Sequence, residues 1–289
     1  MNNNLFNKVV QINGLKYEFT PYGIECIKGL IANGYTYKQI GTKLGISPNT
    51  ISYRCREYGI AKPFSIHSRK KKYPFNELYF KEINSPEKAY WFGFIAADGY
   101  VNSNRGILEI GLQRKDEEHL VKFLQAIGSN KPIYQKQSCC KNKTYLSSII
   151  RINSYQMVQD LSKIGIVDRK SLIYTPPTKK QLPDSLIKYW ILGYLDGDGC
   201  ICIGQNGRFS LSFVGTKATL AFIQNYFKTN VAYRHEHQNS QTYSIIYTEG
   251  PTQKILNYLY DDISIPLCLK RKYNKYLEIC QIYKEKNGY

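Results

Sequence analysis

The ten residues from Tyr90 to Gly99, YWFGFIAADG, return in altered form one hundred positions later as WILGYLDGDG, Trp190 to Gly199. Gly93 matches Gly193, Asp98 matches Asp198, and Gly99 matches Gly199. Self-similarity at this spacing makes the chain a duplication of one structural unit. The residues that follow each motif keep the same order. After the first, Leu108, Ile110 and Leu112 alternate as in a half-buried strand, and Leu120, Phe123, Leu124 and Ile127 recur at helical spacing. A strand pair follows in Ile133-Tyr134 and Tyr145 to Ile152, then a helix carrying Met157, Leu161 and Ile164. After the second motif, Phe209, Leu211 and Phe213 alternate, Leu220, Ile223 and Phe227 form a helix, Tyr243 to Thr248 a strand, and Ile255, Leu256 and Leu259 a helix. Each half therefore reads α-β-β-α-β-β-α, an α+β class in which helices cover one sheet face. The other face stays polar, with Glu109, Gln113, Ser147 and Arg151 in the first half and Arg208, Ser210 and Ser212 in the second.

Charge gives such a face a partner. Forty Lys and Arg against 22 Asp and Glu leave +18, spread along the whole length. Each phosphate neutralised by a basic side chain releases condensed counterions, so this excess suits a nucleic acid. The longest apolar runs, such as Tyr90 to Ala97, are far too short to span a membrane. The polar start, Met1 to Asn4, carries no targeting signal, so a cytoplasmic location is expected, nucleoid-associated in a bacterial or phage setting. The eight cysteines show no zinc-site spacing and are expected as reduced thiols. His235-Glu236-His237 reads as a solvated strand lacking a third ligand.

The first sixty residues form a separate helical pattern. Thr20-Pro21 opens a helix that carries Ile24, Ile27, Leu30 and Ile31 and stops at Asn33-Gly34. A short helix from Tyr37 to Leu44, a turn at Gly45-Ile46 and a helix opened by Ser47-Pro48 follow. The segment YKQIGTKLGISPNTISYRCREYGI resembles a helix-turn-helix. That resemblance implies that Asn49, Thr50, Ser52, Tyr53, Arg54 and Arg56 face outward on the helix that enters the DNA major groove. The expected organisation is an all-α helix-turn-helix domain over 1–62, a basic linker over 63–84, and two pseudo-symmetric αββαββα subdomains over 85–185 and 186–289.

With the repeat and its element order in view, the chain from about Ser85 onward resembles the LAGLIDADG homing endonucleases in their two-motif, single-chain form. Gly93 and Ala97, and Gly193 and Gly197, sit four apart on the motif helices, so two backbones can approach closely. Asp98 and Asp198 would then meet at the pseudo-twofold axis, where a carboxylate pair can hold a hard divalent cation, Mg²⁺ with Mn²⁺ as a substitute. The resemblance implies that the carbonyls of Ala97 and Gly197 add metal ligands. It also implies a staggered double-strand cut in duplex DNA by metal-dependent phosphodiester hydrolysis. Lys170 and Lys270 each lie 72 residues after their aspartate, and the resemblance places them at the edge of the active site. Gln113, Arg151, Arg208 and Ser210 are expected to face DNA from the sheets. The protein is expected as a monomer needing no membrane and no small-molecule cofactor. Motif one departs from the family: Ala96 stands where motif two keeps an acid, Asp196, and Trp91 and Phe92 are unusually bulky. Two other functions use a similar scaffold: a DNA-binding regulator that does not cut, and an intron RNA maturase. The retained aspartates argue against the first. The helix-turn-helix, suited to B-form grooves, argues against the second.

Overall fold

The computed structural model describes residues 7–13, 16–33, 35–60, 72–140, 143–236, 241–261 and 267–287. It divides into two compact units, residues 1–72 and 73–289.

In the first unit a hairpin of β1 (Val10–Asn13) and β2 (Lys16–Phe19) precedes three helices, α1 (Pro21–Ala32), α2 (Tyr37–Leu44) and α3 (Pro48–Glu57). Each helix starts on a hydroxyl that accepts a backbone N–H: Thr20 from Gly23, Thr36 from Gln39 and Ser47 from Thr50. Such caps contribute about 1 kcal/mol each. Gly45, at φ 69°, takes the left-handed conformation that turns the chain between α2 and α3. The unit is not purely helical, contrary to the sequence expectation. Val10 pairs with Phe19 across the hairpin, and both are buried with Ile27, Ile40, Ile51 and Cys55 in one core. On α3, Asn49, Tyr53 and Arg56 are exposed, while Thr50 and Ser52 are half-buried. Arg54 does not face outward. It lies on the inner side of α3 with Ile51 and Cys55 and forms an ion pair with Glu57. Positions 51, 54 and 55 share one helical face, which explains the difference.

The second unit contains α4 (Pro86–Asp98), β3 (Tyr100–Asn102), β4 (Ile107–Gln113), α5 (Glu117–Ala126), β5 (Tyr134–Cys140), β6 (Lys143–Asn153) and α6 (Tyr155–Lys163). The repeat supplies α7 (Ile187–Asp198), β7 (Gly199–Ile203), β8 (Phe209–Gly215), α8 (Lys217–Phe227), β9 (Arg234–His235), β10 (Tyr243–Thr248) and α9 (Glu249–Tyr260). Two antiparallel sheets have the same topology, β3-β4-β6-β5 and β7-β8-β10-β9. Leu108, Ile110 and Leu112, like Phe209, Leu211 and Phe213, are buried, so the expected alternation holds in both halves. The fold is thus α+β, with both halves sharing one hydrophobic core.

Two expectations need adjusting. Tyr79, Phe80 and Ile83 are buried in that core, and the Asn76 amide donates to the Ile127 carbonyl at 2.8 Å. Of the stretch expected as linker over 63–84, residues 63–71 lie outside the described residues and those from 73 onward belong to the second unit. A further helix, α10 (Lys270–Asn287), has no counterpart in the first half. It buries Lys272 and Ile279 and half-buries Tyr273, Tyr276, Cys280 and Ile282, a helical stripe that the sequence carries openly. Its Lys275 and Lys286 ammonium groups donate to the carbonyls of Ile201 (2.6 Å) and Gly207 (2.8 Å).

Candidate functional site at the helix seam

The motif helices α4 and α7 are almost wholly buried, Ala89 to Ala96 in one and Trp190 to Asp196 in the other. Ser85 caps α4, with Pro86 in the first turn. Their contact is backbone against backbone. A Cβ added to Gly93 would lie 2.0 Å from the Trp190 carbonyl oxygen, and one on Gly193 would lie 2.0 Å from that of Tyr90. At Gly197 a Cβ would lie 2.3 Å from the Ala97 Cβ and 3.3 Å from the Asp98 amide nitrogen. Small residues at these positions therefore set the approach that brings the two helix ends together. Gly99 and Gly199 end the helices in extended conformation; what excludes a side chain there is the preceding turn, at Ile95 and Leu195.

Asp98 and Asp198 stand at the two helix ends with part of each side chain open to solvent. Even so, the surrounding protein removes enough water to raise both carboxyls above the ordinary range. Asp198 is pushed up to about 6, first by burial and then by the charge of Asp98; Lys170 and Lys272 pull it down. For Asp98 burial is opposed by Lys272, Lys170 and Arg271. Each aspartate is thus within electrostatic reach of the same two lysines.

The lysines are positioned by the helix ends. The Lys170 ammonium donates to the carbonyls of Ala97 (3.2 Å) and Gly99 (2.5 Å). Lys272 donates to those of Leu195 (2.6 Å), Asp196 (2.8 Å) and Gly199 (2.6 Å). Both are buried and sit where helix carbonyls lack partners and the dipole favours a cation. Burial lowers the Lys170 ammonium and brings that of Lys272 to about 8. The structural partner of Lys170 is therefore Lys272, not Lys270, which is exposed at the start of α10. The chain to the second lysine is two residues longer than in the first half, so the equal offset that points to Lys270 misplaces it. Lys272→Met should leave the carbonyls of Leu195, Asp196 and Gly199 without their donor and lower the melting temperature. Lys270→Ala should leave it nearly unchanged; equal losses would return the role to Lys270.

Asp196 is placed quite differently from its motif neighbour Asp198. It is 1% exposed, and its Oδ2 accepts from the Tyr90 hydroxyl at 2.6 Å and from the Leu269 amide at 2.7 Å. The Tyr90 hydroxyl also lies 2.8 Å from Nε2 of His119, whose imidazole burial holds neutral, at about 3. This buried chain crosses the seam and pins residue 269, three positions before Lys272. The repeat-related pair is Trp190 and Ala96, which can make no such bond. The missing acid of motif one and the missing hydroxyl at position 190 are thus one coordinated difference.

Of the sheet residues singled out from sequence, Gln113 and Arg208 are exposed and Ser210 is half-buried. Arg151 is exposed but paired across the strands with Glu109, its Nε donating at 2.7 Å, so part of its charge is already engaged. His235 is exposed on β9, and His237 lies outside the described residues. Among the described residues no three His, Cys, Asp or Glu side chains converge. Neither Asp98 nor Asp198 accepts a hydrogen bond there. Two unsatisfied carboxylates form an open donor set, which suits a hard cation that keeps waters and takes phosphate oxygens. One lone pair of the Ala97 carbonyl is occupied by Lys170.

No protein-family model matches the sequence, and no curated protein does. Among solved structures, the homing endonuclease I-WcaI bound to its DNA recognition sequence is similar over 72% of this chain and 94% of its own (15% identity, TM-score 0.48). The LAGLIDADG meganuclease I-AabMI bound to uncleaved DNA covers 71% and 92% (11%, 0.45). Full-length DUF199/WhiA from Thermatoga maritima covers 73% and 66% (16%, 0.44). Among the described residues no helix is long and apolar enough to cross a membrane. The solved structures to which this chain is similar thus include LAGLIDADG proteins with DNA in place.

Proposed function

We propose that this protein is a site-specific endonuclease that makes a double-strand cut in duplex DNA with Mg²⁺ held between Asp98 and Asp198. The observation that carries this reading is the pair of carboxylates at the seam of two like halves, beside two buried ammonium groups and with no hydrogen-bond donor among the described residues. A bound divalent cation would polarise the phosphodiester and supply a water nucleophile of lowered pKa. Asp98 and Asp198 hold and orient it. Lys170 and Lys272 offer positive charge where charge develops on the phosphate. The basic, polar sheet faces take the DNA backbone, and α3 of the first unit adds contacts through Asn49, Tyr53 and Arg56.

Incubating the purified chain with a plasmid library and Mg²⁺ tests this: linear product supports it. Binding without cutting would make the protein a non-cleaving regulator, and preference for folded RNA would make it a maturase. Removing residues 1–62 should weaken binding and flatten the slope of log affinity against log salt, by about one unit for each phosphate that those residues neutralise. An unchanged slope would remove the first unit from DNA recognition.

A further inference from the structure

We infer that Cys200 and Cys202 form a reversible dithiol–disulfide couple on the open face of the second sheet, beside Asp198. Their Sγ atoms lie 3.2 Å apart, and both residues are exposed. They flank the buried Ile201 on β7, an edge strand, and stand opposite Ser212 and Ser210 of β8. No ligand role is needed to bring them together; strand geometry alone puts positions two apart on one face.

The same geometry sets the character of the bond. Residues two apart on a strand have Cα atoms about 6.6 Å apart. That is near the upper limit, about 6.8 Å, that a disulfide spans. The bond closes by drawing β7 together and is strained, which gives it the higher potential of a labile, reducible disulfide. A small-molecule disulfide such as oxidised glutathione is the oxidant. One cysteine thiolate attacks a glutathione sulfur, breaks the S–S bond and expels one glutathione thiolate. The second cysteine attacks the protein sulfur of the mixed disulfide and expels the other. The two cysteines lose two electrons and two protons, and one glutathione disulfide becomes two thiols.

Drawing β7 together moves two carbonyls to which lysines of α10 donate. Gly199 accepts from Lys272 at 2.6 Å, and Ile201, between the cysteines, accepts from Lys275 at 2.6 Å. The first half has no such pair, since its corresponding strand is Tyr100-Val101-Asn102. Oxidation therefore affects one of two related sites. This consequence rests on the endonuclease reading above; the couple itself does not.

The test treats the full chain with oxidised glutathione and maps its peptides. A peptide containing both cysteines, lighter by two hydrogens, resistant to alkylation and restored by dithiothreitol, is the expected result. Two separate glutathione adducts, or two alkylatable thiols, would overturn the couple. Cys200→Ser should retain a single glutathione adduct at Cys202. In a plasmid assay the oxidised chain should accumulate nicked circles, with the second cut slowed by about 100-fold. Cys200→Ser combined with Cys202→Ser, which can take neither disulfide nor glutathione, should linearise equally in both conditions. A closed disulfide with unchanged linearisation would overturn the link to the site. Failure of both oxidised and reduced chain to cut would count against the endonuclease reading and leave the couple to the peptide map.

Discussion

Asp98→Asn and Asp198→Asn should each abolish double-strand cleavage while leaving DNA affinity within about threefold, a change of under 1 kcal/mol. The substitution keeps shape and removes one negative charge from the face proposed to meet phosphates, so binding has no reason to weaken. Metal retention does, because a hard cation then has one carboxylate instead of two. Linearisation at the wild-type rate by either variant would remove the aspartates from the chemistry. Acidity gives a second readout. Asp198 titrates at about 6 with burial as its first cause and Asp98 as its second, so Asp98→Asn should shift that titration downward, as followed by carboxyl NMR. In the unsubstituted protein, protons compete for the carboxylate as pH falls through about 6, so metal affinity should fall with them. The sign for stability is opposite. A carboxyl whose folded pKa is raised disfavours the folded state once pH exceeds the unfolded value, and the penalty is complete above the folded value. Asp198→Asn should therefore melt higher than the metal-free parent above about pH 6 and match it at strongly acidic pH.

Gly193→Ala should cost about 3 kcal/mol or more, because the added methyl meets the Tyr90 carbonyl at 2.0 Å and the Phe94 amide nitrogen at 2.9 Å. Both are main-chain atoms of a buried helix, so relief requires the two helices to separate. For a unit of this size the melting temperature should drop by roughly 6–12 °C. Cleavage should fall further than stability accounts for, since separation moves the two carboxyls apart. Gly29→Ala is the control. It lies on α1, where a Cβ meets nothing within 4 Å, and should stabilise the first unit by about 0.5–1 kcal/mol. Equal melting of Gly193→Ala and the parent would show that the seam tolerates a side chain.

The parts of this architecture that repeat are legible from residues alone. Asp98 and Asp198, the glycines at 93 and 193, and the alternation of Leu108 to Leu112 and Phe209 to Phe213 each support the other copy. What escapes a reading of the sequence are contacts that break the repeat. Lys272 is hidden by two extra residues in the segment before it and by two basic neighbours in LKRK. The Tyr90–Asp196 bond joins residues 106 apart and shows as a pair only when the helices are packed. The charge of Arg54 suggests an outward position, although its spacing from Ile51 puts it on the inner face. The hairpin of Val10 and Phe19 is written as a short alternation, a weaker signal than the capped helices beside it.

The two buried lysines bear on how the molecule comes into being. Lys170 reaches back 71 residues to Gly99, and Lys272 reaches back 73 residues to Gly199. In a chain emerging from the ribosome, Lys170 is available about a hundred residues ahead of Lys272, so the end of α4 can be secured first. The end of α7 must wait until residue 272 is clear of the exit tunnel. Synthesis itself therefore separates the two helix ends in time, and a partly made chain cannot yet present the finished pair of carboxylates.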